Sequence, residues 1–292
     1  MSIENDAPLL RVMSHFGVAA DALLGIGGEA CVFSLDGQRV LRVHHPGTGR
    51  QTIDRRTELL AELRISRRAV PFSIPEVLDT AEVHGRWITI EPQLPGRPLS
   101  LVLGEVRGSA REELVMAYLY CSTQMRYLRV ERPWYGELCS AEPVRASTYT
   151  SYLERRARTS LLAAGDAFAA VSASQLAAAL PEPSVASFVH LDLFPGNVLV
   201  EGSTVSAVID FGGVPIVGDA RLDSLAAASY LTPFITPHAT PADRELAAAW
   251  LQVQGLEELF EPARRWLAAR WSFARDDRQL HRWCQTVLLN AG

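Results

Sequence analysis

Apolar and polar positions along the chain change rhythm near residue 98. Between Leu23 and Val43, short apolar runs alternate with turns: a glycine turn at Gly25-Ile26-Gly27-Gly28, then Ala30-Cys31-Val32-Phe33, a turn at Asp36-Gly37, and Val40-Leu41-Arg42-Val43. This pattern predicts strands joined as hairpins. Residues 52 to 66 place Ile53, Leu59, Leu60 and Leu63 at helical spacing, with Glu58 and Glu62 between them, and Pro71 and Pro75 close that helix. Val77-Leu78 and the run from Trp87 to Ile90 predict two more strands, and Glu91-Pro92-Gln93-Leu94-Pro95-Gly96 reads as an extended connection leaving the sheet.

Beyond Pro98 the spacing becomes that of long helices, over residues 109 to 129, 147 to 180, 241 to 257 and 261 to 290. A compact strand-rich island from Phe188 to Asp210 interrupts them. Strands with one helix, a connector, and then a mostly helical body imply an α+β architecture of two lobes. We place the boundary near residues 92 to 98, with residues 1–95 as the smaller lobe and 96–292 as the larger.

Composition narrows the function classes. The formal net charge is −5 and the basic residues form no tract, which argues against a nucleic-acid or membrane partner. The start, MSIENDAPLL, has no basic region ahead of an apolar run, and no stretch approaches the roughly 18 apolar residues of a membrane span, so a cytosolic protein is expected. Cys31, Cys121, Cys139 and Cys284 lie far apart without metal-ligand spacing, which implies reduced thiols. All 28 Lys+Arg positions are arginine, so any cationic side chain on a phosphate must be Arg.

Chemistry concentrates in Val189-His190-Leu191-Asp192-Leu193-Phe194-Pro195-Gly196-Asn197-Val198-Leu199-Val200 and the following Ile209-Asp210-Phe211-Gly212. Phosphoryl transfer needs a carboxylate to take or orient a hydroxyl proton, and oxygen ligands to hold Mg²⁺ against the triphosphate. Asp192 and Asn197 stand five apart on a loop, and Asp210 follows an apolar strand able to pair with Val198 to Val200. Asp-x-x-x-x-Asn followed by Asp-Phe-Gly is the spacing of a kinase catalytic set.

These segments resemble the aminoglycoside-phosphotransferase family, whose motif usually runs His-Gly-Asp-Leu-His-Pro-Gly-Asn-Val-Leu-Val. Gly218-Asp219, Asp223, Val40-Leu41-Arg42, Glu58-Leu59-Leu60 and Leu94-Pro95-Gly96-Arg97-Pro98-Leu99 extend the resemblance to both lobes. It implies a protein-kinase-like fold, with Asp192 as catalytic base, Asn197 and Asp210 as magnesium ligands and His190 bracing the loop. Asp219 and Asp223 would be structural. Leu191 and Phe194 depart from the motif's Gly and His.

The same resemblance places Arg42 on the triphosphate, paired with Glu58, and Gly27 and Gly28 over the phosphates of ATP or GTP. Pro92 lacks an N–H, so adenine would accept from the Gln93 N–H and donate to the Glu91 carbonyl, with Ile90 just inward. Asp210 and Asp219 are nine positions apart and no Ala-Pro-Glu follows, so no activation segment for a peptide fits and a small-molecule acceptor is expected. Residues 140 to 292 carry a formal balance of −4, and Asp276-Asp277 lie where the family gathers acidic contacts, which together suggest a cationic antibiotic. A metabolic kinase for choline, homoserine or a sugar, and a non-catalytic nucleotide-binding scaffold, are the competing readings.

Overall fold

The computed structural model describes residues 5–66 and 69–289. Helix α1 (Ala7–Phe16) begins the chain, capped by the Asp6 carboxylate on the Leu9 N–H. Strands β1 (Leu23–Ile26), β2 (Ala30–Ser34) and β3 (Arg39–His44) follow, then helix α2 (Arg50–Ser66), β4 (Asp79–Val83) and β5 (Arg86–Pro92). The five strands form one antiparallel sheet in the order β1-β2-β3-β5-β4. Its β4 lies two residues beyond the expected Val77-Leu78, and β5 runs on through Glu91 and Pro92, which the sequence pattern assigns to a connector.

After β6 (Arg97–Pro98) the chain is mainly helical: α3 (Leu99–Glu105), α4 (Gly108–Gln124), β7 (Tyr135–Glu137), β8 (Arg145–Ala146), α5 (Tyr149–Ala164) and α6 (Ala173–Ala178). Then come β9 (Ser187–Val189), β10 (Val198–Glu201), β11 (Thr204–Val208), β12 (Ile216–Gly218), α7 (Arg221–Tyr230), α8 (Pro241–Val253), α9 (Glu257–Trp271) and α10 (Arg278–Leu289). The helix expected over 147–180 is broken at Gly165, where φ is 76°. That expected over 261–290 is two helices separated by residues 272–277; position 290 lies outside the described residues.

Two apolar cores result. Leu9, Val12, Phe33, Leu41, Val43 and Ile88 pack α1 against the five-stranded sheet. Leu59, Leu60 and Leu63 of α2 instead join the larger core of the helical body, with Tyr118, Tyr152, Phe188, Phe211 and Trp266. Helix α2 therefore couples the sheet to the body through burial of its own apolar face. Gly96 makes the crossing possible: its φ is 104°, and a Cβ there would lie 2.4 Å from Ser206 Oγ as β6 pairs with β10.

Arg111 ties three helices of the body. Its guanidinium bridges both oxygens of Asp243 at 2.8 and 2.6 Å and donates to the carbonyls of Leu103 and His238, while Asp243 closes a capping box with Thr240. Both side chains are buried, so removing the cation strands a carboxylate in the interior. Arg111→Ala should cost about 3 kcal/mol of unfolding free energy, read from urea denaturation midpoints.

Candidate active site

Strand β9 delivers the loop His190–Asn197, and Asp223 in the first turn of α7 fixes its start. The buried Asp223 carboxylate accepts from the His190 N–H at 3.0 Å and the Leu191 N–H at 2.8 Å. Burial pushes Asp223 up to about 7 against those two donors. Leu191 sits at φ 67°, where the motif it resembles usually has glycine, and the Tyr230 hydroxyl holds its carbonyl at 2.9 Å. A left-handed leucine is strained, and here both of its peptide groups are pinned while its side chain is fully buried.

His190 spans the two halves of the site. Its Nε2 donates to the Ile209 carbonyl at 3.1 Å, while Nδ1 accepts from the Asp192 N–H at 3.3 Å, the tautomer this network requires. Burial lowers its pKa to about 4, so the ring is neutral. Asn197 then fixes Asp192: its Nδ2 donates to Asp192 Oδ2 at 3.1 Å and to the Asp192 carbonyl at 3.0 Å. Burial first, and the charge of Asp210 second, raise Asp192 to about 7, a value suited to proton exchange near neutrality.

Asp210 follows β11 at φ 66°, and its carboxylate accepts from Arg42 Nη2 at 3.0 Å. Burial would raise its pKa, yet the Arg42 guanidinium holds it below the usual carboxylate range. Glu29, at the tip of the glycine turn, lies 3.5 Å from Arg42 and accepts from the Gly213 N–H at 2.6 Å. A Cβ at 212 would stand 2.0 Å from Glu29 Oε2, so a larger residue there would push the Glu29 carboxylate aside. Gly28, Glu29, Thr48, Arg56, Gly212 and Gly213 are among the residues lining a cavity of about 400 Å³, so the glycine turn and the Asp-Phe-Gly loop face one space.

Several expectations from the sequence are corrected. Arg42 pairs with Asp210 and Glu29, whereas Glu58 is exposed on α2. The inward polar position of that helix is Arg56, on the face of Ile53, Leu60 and Leu63; position 58 is turned roughly 200° away from it at 3.6 residues per turn. Arg56 makes a bidentate pair with Glu91 at 2.7 and 3.0 Å, both side chains buried. The cation is thus on the helix and the carboxylate on β5.

The expected adenine contacts change for a related reason. With Val40 paired to Glu91 and Leu41 to Ile90, strand alternation turns Thr89 and Glu91 toward Arg42 and Arg56, and turns Ile90 onto the core beneath α1. The Gln93 N–H is already committed to the Gln38 carbonyl at 2.7 Å. Asp219 pairs with Arg221 at the start of α7. Asp277 caps α10 through the N–H groups of Gln279 and Leu280, 3.0 Å each, and Asp276 is exposed beside it. Among the described residues no hydrogen bond or ion pair links that pair to Asp192.

Residues that the sequence did not single out include Glu29, Arg56 and Tyr230. Only Arg56 left a trace, as a charged residue on the apolar face of a helix.

Residues 28–217 match the family model described as APH, phosphotransferase enzyme family, and the chain belongs to that family. It is an enzyme that moves a phosphoryl group onto an alcohol group. Among solved structures it is similar to the ADP-bound aminoglycoside phosphotransferase APH(2'')-Ib, at a TM-score of 0.63 and 14% identity over 98% of this chain and 97% of that one. The streptomycin–ATP complex of APH(2")-IIa gives 0.61 at 14% identity, over 98% and 96%. APH(3'')-Id of Streptomyces rimosus, with ADP and streptomycin, gives 0.57 at 14% over 93% and 100%. These likenesses are of fold, and they show the two-lobed α+β fold that the motifs imply. No curated protein matches the sequence.

Glu91 generates a test by pH. Burial alone would raise its pKa, but the Arg56 charge brings it down to about 2 from the ordinary 4.5. A carboxylate depressed in the folded state stabilises it fully above the unfolded value and loses that contribution as pH falls through the folded one. Glu91→Gln should therefore lower stability by about 3 kcal/mol above pH 4.5. The gap to the wild type should close as pH falls toward 2, followed by denaturant midpoints at each pH.

Proposed function

We propose that the chain transfers the terminal phosphoryl group of ATP or GTP, with Mg²⁺, to a hydroxyl of an antibiotic-like small molecule. The observation that carries this reading is the joining of Asp192 and Asn197 to Asp210 through His190, with Arg42 on Asp210 and Glu29 of the glycine turn on Arg42. The solved complexes of similar fold, which hold ADP, ATP, GDP, kanamycin and streptomycin, support it. Residues 1–95 would form the nucleotide-binding lobe and 96–292 the acceptor lobe.

The donor set fits magnesium. Asp210 offers carboxylate oxygens, and Asn197, whose Nδ2 is spent on Asp192, keeps Oδ1 for a cation. Among the described residues no three His, Cys, Asp or Glu side chains form a metal site, in keeping with an ion that completes its shell with phosphate oxygens and water. When bound, Mg²⁺ neutralises charge on the bridging and terminal phosphate oxygens.

The protein supplies the rest. Asp192 accepts the acceptor's hydroxyl proton on a carboxylate oxygen as that hydroxyl oxygen bonds to the γ-phosphorus and the bond from phosphorus to the bridging oxygen breaks, leaving the nucleoside diphosphate. Asn197 and His190 hold Asp192 in place. Arg42 supplies forked donors to the triphosphate. Adenine would be read one residue further along than Gln93, at the Leu94 N–H, which donates no backbone hydrogen bond among the described residues. Gly27 and Gly28 would cover the phosphates.

An antibiotic acceptor is tested by the drug susceptibility of a host expressing the gene, across several drug classes. Unchanged susceptibility to every class would remove that part of the reading.

Two substitutions test the chemistry. Asp192→Ala should lower kcat by about 10² to 10⁴ while nucleotide affinity stays within about twofold, measured by ADP release and by titration calorimetry. Asp210→Asn should weaken Mg²⁺-dependent nucleotide binding more than Asn197→Ala does, since a formal charge is the stronger ligand for a hard cation. Titrations with and without Mg²⁺ give the comparison.

A further inference from the structure

Glu29 fills a seat suited to an anion. It follows Gly27 and Gly28 in the turn between β1 and β2, and the backbone of that turn is held twice by the residue after β3: the His45 N–H donates to the Glu29 carbonyl at 2.9 Å, and His45 Nε2 lies 2.8 Å from the Gly27 carbonyl. From this anchored turn the side chain crosses to the loop after Asp-Phe-Gly. There Oε1 accepts from the Gly213 N–H at 2.6 Å, and Oε2 lies 3.5 Å from Arg42 Nη2. One donor belongs to the larger lobe and the other to the sheet. Gly212 and Gly213 leave their backbone bare beneath the carboxylate: Cβ atoms there would stand 2.0 Å from Oε2 and 3.2 Å from Oε1. A peptide N–H and a guanidinium meeting over side-chain-free backbone make an anion site.

Three features mark the Glu29 carboxylate as a temporary occupant. Its hold on Arg42 is loose, an ion pair at 3.5 Å to an Nη2 that already donates to Asp210 at 3.0 Å. Its side chain is 37% exposed, and ion pairs open to water to that extent contribute little. The cavity of about 400 Å³ that it lines with His45, Thr48 and Ser140 gives the side chain space to swing while the turn backbone stays anchored. A triphosphate brings more charge to the same two donors. With phosphate on Arg42, the carboxylate would face like charge from the phosphate as well as from Asp210.

We propose that the Gly213 N–H and Arg42 form a phosphate subsite for the nucleotide, which the Glu29 carboxylate fills in the free protein and leaves when the nucleotide binds. This deepens the kinase reading and rests on it. Glu29 is then a competitor carried by the chain itself. Nucleotide phosphate enters only those molecules whose seat is open, so the apparent affinity of the wild type is reduced by that fraction. A carboxylate that clamped the two lobes together, or that held a metal ion against the phosphates, would act in the opposite direction.

The test is titration calorimetry of the wild type, Glu29→Gln and Glu29→Ala with Mg-ATP and with adenosine. Both substitutions should lower the Mg-ATP Kd by about 3- to 10-fold and leave that of adenosine, which brings no phosphate, within about twofold. Hydrogen exchange at the Gly213 amide, followed by NMR, gives a second readout. It should be slow in the free wild type, faster in free Glu29→Ala, and slow again in Glu29→Ala once Mg-ATP is added. Mg-ATP affinity unchanged or weakened in either variant, an equal gain for adenosine, or a Gly213 amide that Mg-ATP does not protect in Glu29→Ala would overturn the inference and leave the kinase reading intact. Failure of all three proteins to bind Mg-ATP would overturn both.

Discussion

Everything at the centre of the molecule depends on the Asp223 carboxylate. It is buried, it sits in the first turn of a helix, and it takes the two successive peptide N–H groups that begin the catalytic loop. Those two bonds, with the Tyr230 hydroxyl on the next carbonyl, hold Leu191 in a conformation that would otherwise be abandoned. Asp192 follows that bend, with its carboxylate held by Asn197. His190 then ties that bend to Ile209, the residue between β11 and Asp210.

Above this floor, charge is arranged in pairs of arginine and carboxylate in a chain that has no lysine. Arg42 lies over Asp210, and Glu91 is neutralised by Arg56 from α2, with the Arg42 charge acting on it too. The helix thereby contributes the cation and the sheet the carboxylate. Planar guanidinium groups suit this, because each can serve a carboxylate in a forked geometry and keep its charge when desolvated.

How much of this was legible in the sequence follows from how local each feature is. Asp192, Asn197 and Asp210 are brought together by one loop and one hairpin, so their spacing alone foretold their meeting. The two-lobed architecture was legible in the change of rhythm near residue 98. Glu58 failed because a motif match cannot say which side of a helix faces the sheet; the phase set by Ile53, Leu60 and Leu63 decides it. Ile90 and Gln93 failed because the β3–β5 register fixes which side chains point into the cleft and which N–H groups remain. Tyr230 meets the loop from a helix far along the chain, and no local pattern announces such a contact.

The most direct measurement of the central claim is a crystal structure of the protein with ADP and Mn²⁺, the metal located by its anomalous scattering. The account requires the metal within coordination distance of Asp210 and the Asn197 Oδ1, with Arg42 turned onto the phosphates. Metal density away from both residues, or a nucleotide bound elsewhere than under Gly27 and Gly28, would contradict it.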